Sequence, residues 1–174
     1  PQIAQVTVLR GNQRGKIWLE DLYSHPELDI ALRGGDRILI EEDTRSFVAL
    51  GATGAQQKVP FETKNLSALE GIAQVGGLNA GTADPTGVFV FRNEPEAVVA
   101  QVLGRNDLQG AQRMVYVLDL TKPNGMFMAR DFVIRDGDTL YVTEAPFTQW
   151  SKVISSITGS ASSVNNLSSL ASSN

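Results

Sequence analysis

The clearest structural signal in this sequence is the stretch Ile134-Arg135-Asp136-Gly137-Asp138-Thr139-Leu140-Tyr141-Val142. Gly137 and Asp138 predict a tight turn, because glycine readily takes positive φ and the aspartate can accept hydrogen bonds from nearby backbone amides. The alternating side chains that follow predict a strand. The same order of residues occurs earlier in Leu32-Arg33-Gly34-Gly35-Asp36-Arg37-Ile38-Leu39-Ile40, with Gly35 and Asp36 at the turn. We therefore predict one folding unit that occurs twice.

A strand also precedes each predicted turn. Residues 115–119 echo residues 6–10, so we interpret them as the matching first strand of each copy. In the first copy, the Gly-containing segment 11–15 separates residues 6–9 from a second β-type run at 16–19, which is typical of a hairpin. The alternative is a chance recurrence of strand–turn–strand patterns, which are common in β-rich chains. The repeat predicts that residues 1–45 are a partial first domain.

Residues 46–145 contain a fuller set of elements. Residues 47–51 and 88–92 have the composition of strands, and residues 95–103 predict a short helix opened by a proline. Residues 65–75 predict a longer helix, because their apolar side chains recur at helical spacing. This order predicts an α+β domain with one helix packed across a small mixed sheet, which is the order of a β-grasp (ubiquitin-like) fold.

The longer helix carries its own start and stop signals. Asn65 or Ser67 is the expected N-cap, and Ser67 with Glu70 has the spacing of a capping box. Gly76 and Gly77 are expected to end the helix in a left-handed C-terminal cap. Because these glycines follow a helix and do not precede one, they do not predict a phosphate-binding loop.

Composition excludes several functional classes. The chain has 174 residues, no cysteine, one histidine and a formal net charge of −4. Thiol nucleophiles, disulfides and Cys/His metal sites are therefore excluded, and nucleic acid is not expected as a partner because its phosphates are bound by clustered Lys and Arg. We expect no metal and no cofactor.

No residue set predicts catalysis. His25 lies in a loop-like segment without a Ser/Asp partner pattern, so a solvated histidine is the simpler interpretation. The acidic run at 41–43 lacks the spacing of a calcium loop. Asp36 and Asp138 resemble a pair of glycosidase carboxylates only superficially, since both follow glycine at turn positions. We therefore expect that the chain is not an enzyme.

The ordered motifs resemble a known protein family. Residues 66–78, with the pattern Leu66-x-x-Leu69-x-x-Ile72-Ala73-x-x-Gly76-Gly77-Leu78, and the strand at 88–92 are similar to the soluble-ligand-binding β-grasp domain of bacterial polysaccharide export proteins. The segments 116–120, 127–132 and 135–146 are similar to the outer-membrane translocons of that family. The family's usual N-terminal export domain, lipoprotein signal and anchoring cysteine have no counterpart here. We therefore expect this sequence to be a C-terminal portion.

The resemblance implies a function and a location. It implies a homo-oligomeric ring in the outer membrane, with most of this chain in the periplasm, through which capsular or extracellular polysaccharide passes. It also implies an inner-membrane co-polymerase or kinase as the partner that supplies energy and gating. The conduit itself would be passive.

Residues 146–174 form a serine-rich tail without any charge after Lys152. A helix over residues 148–171 would be about 36 Å long, enough to cross a hydrocarbon core of about 30 Å. One face of it would be apolar and is predicted to face the membrane: Phe147, Trp150, Val153, Ile154, Ile157, Ala161, Val164 and Leu167. The opposite face is predicted to line a pore: Ser151, Ser155, Thr158, Ser162, Asn166 and Ser169.

Such a helix is too polar to cross a membrane alone, but it could do so in a ring with its hydroxyl groups facing water. The resemblance implies the same ring of amphipathic C-terminal helices. The alternative is a flexible serine-rich linker behind a soluble periplasmic glycan-binding or adaptor module. That alternative predicts exposed aromatic side chains for a sugar, and Trp18 is the isolated candidate.

Overall fold

A computed structural model describes residues 3–105 and 107–144, which divide into two compact units. The first unit comprises Pro1–Arg45 with Pro60–Leu66, and the second comprises Ser46–Val59 with Ser67–Asn174, each within the described ranges. Both units combine helices with sheets, so the predicted α+β class is confirmed. The tail predicted to be helical, residues 146–174, lies outside the described residues.

The first unit is built on a three-stranded antiparallel sheet. Its strands lie in the order β2-β1-β3. The predicted hairpin is present, but its turn is only two residues long, since Arg10 pairs with Gln13 and Gly11 takes a φ of 56°. The sequence predicts that Leu19 belongs to the second strand. In the structure, Leu19 begins a helix instead. The elements are β1 (Ala4–Arg10), β2 (Gln13–Trp18), α1 (Leu19–Ser24), a 3₁₀ turn (Pro26–Leu28) and β3 (Arg37–Glu42).

The second unit is built on a five-stranded mixed sheet in the order β5-β4-β10-β7-β8. The β4–β10 pair is parallel, whereas β10–β7 and β7–β8 are antiparallel. A short two-stranded sheet pairs β6 with β9. The elements are β4 (Ser46–Gly51), β5 (Gln57–Pro60), β6 (Leu66–Ser67), α2 (Ala68–Gln74), β7 (Val88–Glu94), α3 (Glu96–Leu103), β8 (Gln112–Leu118), α4 (Pro123–Asp131), β9 (Val133–Ile134) and β10 (Thr139–Val142).

Helix α2, which the sequence predicts as the longer helix, has only 7 residues and begins later than its apolar pattern suggested. Ser67 is its N-cap, and its hydroxyl accepts from the Glu70 amide while the Glu70 carboxylate accepts from the Ser67 amide. Asn65 therefore lies before the cap and is not part of it. At the other end, Gly76 and Gly77 have φ values of 84° and 80°. The Gly77 amide donates to the carbonyl of Ile72, which satisfies one of the last helical acceptors.

The core of the second unit lies between this helix and the sheet. Gly71 of α2 comes so close to Phe47 of β4 that an added Cβ would lie 3.2 Å from the ring. A second helix, α4, which the sequence analysis did not predict, packs against α2. Fully buried apolar side chains fill the interior: Phe47, Val88, Phe89, Val90, Leu118, Ile134, Leu140 and Val142.

The repeat is present, but its first strand was assigned wrongly. In the first unit the strand after the Gly-Asp turn pairs with β1, and in the second unit it pairs with β7. The trio β2-β1-β3 thus corresponds to β8-β7-β10. Residues 6–10 match 88–92, both with the pattern V-x-V-x-R, and they do not match 115–119, which lie on the neighbouring strand β8.

We expect Gly51→Ala to destabilise the second unit. Gly51 has a φ of 84°, and an added Cβ would overlap the Val142 carbonyl oxygen on the parallel partner strand. The unfavourable φ of the alanine and the overlap of its Cβ with the carbonyl oxygen should together lower the free energy of unfolding by about 2 kcal/mol or more, measured by urea denaturation with circular dichroism. Gly81→Ala is the matched control, since Gly81 has no positive φ and its nearest neighbour lies at 3.5 Å. An equal loss in both variants would contradict this account.

Candidate functional site

The most deeply buried charges of the described residues lie together in the second unit. Strand β7 supplies Arg92 and Glu94, and the turn before β10 supplies Asp138. Arg92 Nε donates to Asp138 Oδ1 at 2.9 Å, and Nη2 donates to Oδ2 at 2.6 Å. Nη2 also donates to the Val133 carbonyl at 2.8 Å. We call this two-bond Arg–Asp pair the arginine clamp.

Glu94 extends the clamp into a network. Its carboxylate accepts from the Tyr116 hydroxyl at 2.7 Å and from Arg135 Nη1 at 2.9 Å. A weaker contact, at 3.4 Å, joins it to Arg92 Nη1. The Arg92 guanidinium also lies 5.0 Å from the centre of the Phe132 ring, within the range of a cation–π interaction. These contacts satisfy the buried charges, which would otherwise be strongly unfavourable.

The electrostatics shift the pKa values of Glu94 and Tyr116 away from neutral pH. Burial alone would raise the pKa of Glu94, but the Tyr116 hydroxyl and Arg135 outweigh burial and lower it below its usual value. Burial and the bond to Glu94 raise the pKa of Tyr116. A group that acts as a general acid or base needs a pKa near the working pH. The network therefore suits a structural role, not proton transfer.

The first unit contains the same clamp at a more exposed position. Arg10 Nε donates to Asp36 Oδ1 at 2.9 Å and Nη2 to Oδ2 at 2.6 Å. In both copies the backbone amide three residues before the aspartate donates to Oδ2 at 2.8 Å. The side chains of Arg10 and Asp36 are 32% and 5% exposed, against 7% and 1% for Arg92 and Asp138.

The predicted turn glycines lie beside these aspartates. Gly35 and Gly137 have φ values of 92° and 80°, in the left-handed region that glycine readily adopts. The turn aspartates were therefore visible in the sequence, whereas the arginines that bind them were not. The signal that could have found them is the arginine at the fifth position of each V-x-V-x-R pattern.

The other candidate residues have ordinary surroundings. His25 Nδ1 lies 3.0 Å from an exposed Glu27 carboxylate oxygen, and Asp43 accepts from Arg45. Trp18, the candidate sugar-binding aromatic, lies against the Arg45 guanidinium at 4.9 Å, so its ring is not a bare platform. Among residues 3–105 and 107–144, no group of His, Asp and Glu is arranged to hold a metal ion.

A groove of about 680 Å³ lies wholly within the first unit. Glu20 and Tyr23 of α1 line it together with Glu62 and Lys64 of the returning segment. Lys64 Nζ bonds Asp21 at 2.6 Å, which leaves Glu20 and Glu62 as the groove's exposed acids. We call this feature the acidic groove.

The predicted membrane-facing and pore-lining side chains, Phe147 through Ser169, all lie outside the described residues. Within the part of the chain that the structure describes, none of the helices combines the length and the apolar character needed to cross a membrane.

Comparison with known proteins identifies the family. A family model described as the SLBB domain matches residues 45–142, which include β7 and the arginine clamp of the second unit. The chain belongs to the SLBB-domain family.

Three curated relatives of this SLBB-domain chain are each 34% identical to it. The capsule polysaccharide export outer membrane protein CtrA of Neisseria meningitidis serogroup A aligns with 95% of the chain and 46% of its own length. The capsule polysaccharide export protein BexD of Haemophilus influenzae aligns with 92% and 43%. The Vi polysaccharide export protein VexA/TviF of Salmonella typhi aligns with 78% and 36%.

The resemblance to bacterial polysaccharide export proteins is thereby confirmed. The SLBB-domain chain spans less than half the length of these curated relatives. Their names describe export and not an enzymatic reaction, which agrees with the expectation that the chain is not an enzyme.

We expect Asp138→Asn to destabilise the second unit by about 3 kcal/mol or more, because it leaves the buried Arg92 charge without its carboxylate. Asp36→Asn removes the same contacts from the first unit but should cost less, since Arg10 can turn toward water. Hydrogen exchange of the backbone amides in the β7 and β10 pair, and separately in the β1 and β3 pair, measures the loss of stability of each unit within the same chain. Equal losses would show that burial does not set the strength of the clamp.

Stability of the first unit should fall between about pH 4 and pH 2. The bonds from Arg10 and from the Arg33 amide lower the pKa of Asp36 to about 2 in the folded chain. The unfolded carboxyl keeps a pKa of about 3.9, so acid protonates the unfolded state first and favours unfolding. Trp150→Phe leaves Trp18 as the sole tryptophan reporter of the first unit in urea titrations. Adding Asp36→Asn should remove this part of the acid sensitivity, and an unchanged pH profile would contradict the prediction.

Proposed function

We propose that this chain takes part in the export of capsular or extracellular polysaccharide across the outer membrane. The observation that carries the proposal is the alignment of three polysaccharide export proteins along 78–95% of the chain at 34% identity. The conduit would be passive, since the pKa values of Glu94 and Tyr116 in the clamp network are shifted away from neutral pH and suit neither group to proton transfer. Polysaccharide is then cargo and not a substrate.

We further propose that both units are β-grasp domains, with residues 1–45 as the closing half of the first and residues 46–145 as the second. The repeat supports this assignment. Leu140 and Val142 of β10 are fully buried, but their counterparts in β3, Ile38 and Ile40, are 48% and 69% exposed. Among the described residues, β3 also has no strand on the side where β10 pairs with β4. The first unit therefore needs a parallel strand and a covering layer from elsewhere.

For residues 146–174 we propose an amphipathic helix that crosses the outer membrane as one of a ring of identical helices. The argument rests on the sequence: apolar residues recur on one face, and hydroxyl and amide side chains recur on the other, with no charge after Lys152. A lining of uncharged hydroxyls would offer a hydrated polymer exchangeable hydrogen bonds and no strong binding site.

In this proposal the two β-grasp domains lie in the periplasm as stacked rings. An inner-membrane polysaccharide co-polymerase or kinase delivers the polymer and supplies the energy. CtrA, which is named an outer membrane protein, supports the location.

A soluble periplasmic glycan-binding or adaptor module is the second candidate. The observation that favours it is the acidic groove, where the ring of Tyr23 is 80% exposed. Exposed aromatic rings beside carboxylates are a common way to bind sugars. In that case the serine-rich tail is a linker.

Ile154→Asp with Ile157→Asp should abolish assembly in the outer membrane, because two charges on the apolar face would meet lipid. Ser155→Asp with Ser162→Asp adds the same charges to the polar face and should leave membrane assembly intact. Both are measured in the full chain by outer-membrane fractionation and by the native mass after detergent extraction. If the isoleucine variant still assembles and polysaccharide still reaches the cell surface, the adaptor function replaces the translocon.

A further inference from the structure

The first unit carries opposite charges at its two ends. Arg14, Arg33 and Arg37 lie where β1 meets β2 and where β3 begins; we call this the arginine end. Glu41 and Glu42 lie at the other end of β3, opposite Gln5 and Ala4 of β1. Arg37 and Glu42 are five steps apart along the strand, which is about 17 Å. Ala4 also lines the acidic groove, so these glutamates adjoin it.

None of these arginines and glutamates forms an ion pair among residues 3–105 and 107–144. The neighbouring charges of opposite sign already have partners: Asp36 binds Arg10, Lys64 binds Asp21, and Arg45 binds Asp43. The arginine end and the acidic groove are therefore both exposed, and neither Arg14, Arg33 and Arg37 nor Glu20 and Glu62 form an ion pair within the described part of the chain.

The fold does not require these charges, as the repeat shows. In the second unit Val115 and Thr139 take the places of Arg14 and Arg37, and Thr143 takes the place of Glu41. Arg135 corresponds to Arg33, but its charge is taken up by Glu94 at 2.9 Å. The same sheet, turn and clamp thus form without Arg14, Arg37 and Glu41, whereas an exposed acid, Glu144, stands at the position of Glu42.

The acidic groove has the chemistry to receive arginine. Carboxylates bind a guanidinium with two parallel hydrogen bonds, and an exposed aromatic face attracts it by cation–π interaction. The groove combines Glu20 and Glu62 with the exposed ring of Tyr23 in a volume of about 680 Å³, which is enough for several side-chain tips.

We propose that the arginine end of one copy docks in the acidic groove of the next copy of this chain. Two different surfaces meet in such a head-to-tail contact, so it closes into a ring when its rotation allows. The inference rests on the proposed function, which requires a ring of identical chains, and it names the surfaces that join them. Complementary charges of this kind fix the register and choice of partner more than they add affinity.

Charge reversal in the full chain tests the contact. Arg14→Glu with Arg37→Glu makes both surfaces acidic, and Glu20→Lys with Glu62→Lys makes both basic. Each variant alone should assemble less readily, so that its concentration for half-assembly rises at least about tenfold at low salt. An equimolar mixture of the two should assemble in rings with an even number of copies, because every junction is complementary when the two variants alternate. The matched control is Lys58→Glu with Arg113→Glu, two exposed cations of the second unit with the same change in charge.

Native mass spectrometry and light scattering of detergent-extracted protein measure the mass of the assembly and so the number of copies in it. Loss of the ring in each variant and its recovery in the mixture support the contact, and a misfolded variant would not recover. If wild-type chains form rings and both variants form them equally well, this contact is wrong while the export function stands. If wild-type chains form no ring, the proposed translocon fails and the contact fails with it. Loss of assembly in the control as well would show a non-specific effect of net charge and overturn the contact.

Discussion

The second unit depends on a buried arginine, Arg92, whose guanidinium is hydrogen-bonded to the Asp138 carboxylate and to a backbone carbonyl. Its side chain lies one step beyond the last paired residues of β7 and β10, so it reaches the Asp138 turn only if these strands keep their register. A one-residue slip would turn the guanidinium toward the opposite face and leave Asp138 buried without it. Because buried ion pairs stabilise little compared with apolar packing, the clamp is best understood as a device that selects one register.

The two clamps have the same hydrogen-bond geometry but differ in how deeply they are buried. The bonds from Arg10 to Asp36 have the same lengths as those from Arg92 to Asp138, although the first pair is far more exposed. The local design of strand, turn and clamp therefore does not need a complete core to take its shape. Among the described residues Ile38 and Ile40 are exposed, and this difference supports our proposal that the first unit is a partial domain.

Local features could be predicted from the sequence, and long-range ones could not. The Gly-Asp turns and the Ser67–Glu70 capping box depend on neighbouring residues, so their patterns were sufficient. The matching of β1 with β8 was wrong because alternating apolar residues occur in every strand, and only the sheet order distinguishes them. Helix α4 was missed because glycine is a poor helix former. Gly125 is nevertheless suited to it, since an added Cβ would overlap the Asp119 carbonyl.

Three parts of this chain differ in how they carry charge: the clamp, the surface of the first unit and the tail. Each difference follows from what that part must do. Buried charges of the clamp are paired, since an isolated one would strongly destabilise the fold. Exposed charges of the first unit are left for a partner, because screened surface charges cost little stability when they stay solvated. The tail after Lys152 has none. A conduit lined with fixed charges would hold an oppositely charged polymer and repel one of the same sign, so an uncharged lining suits passage, and the charges that join subunits are best kept away from it.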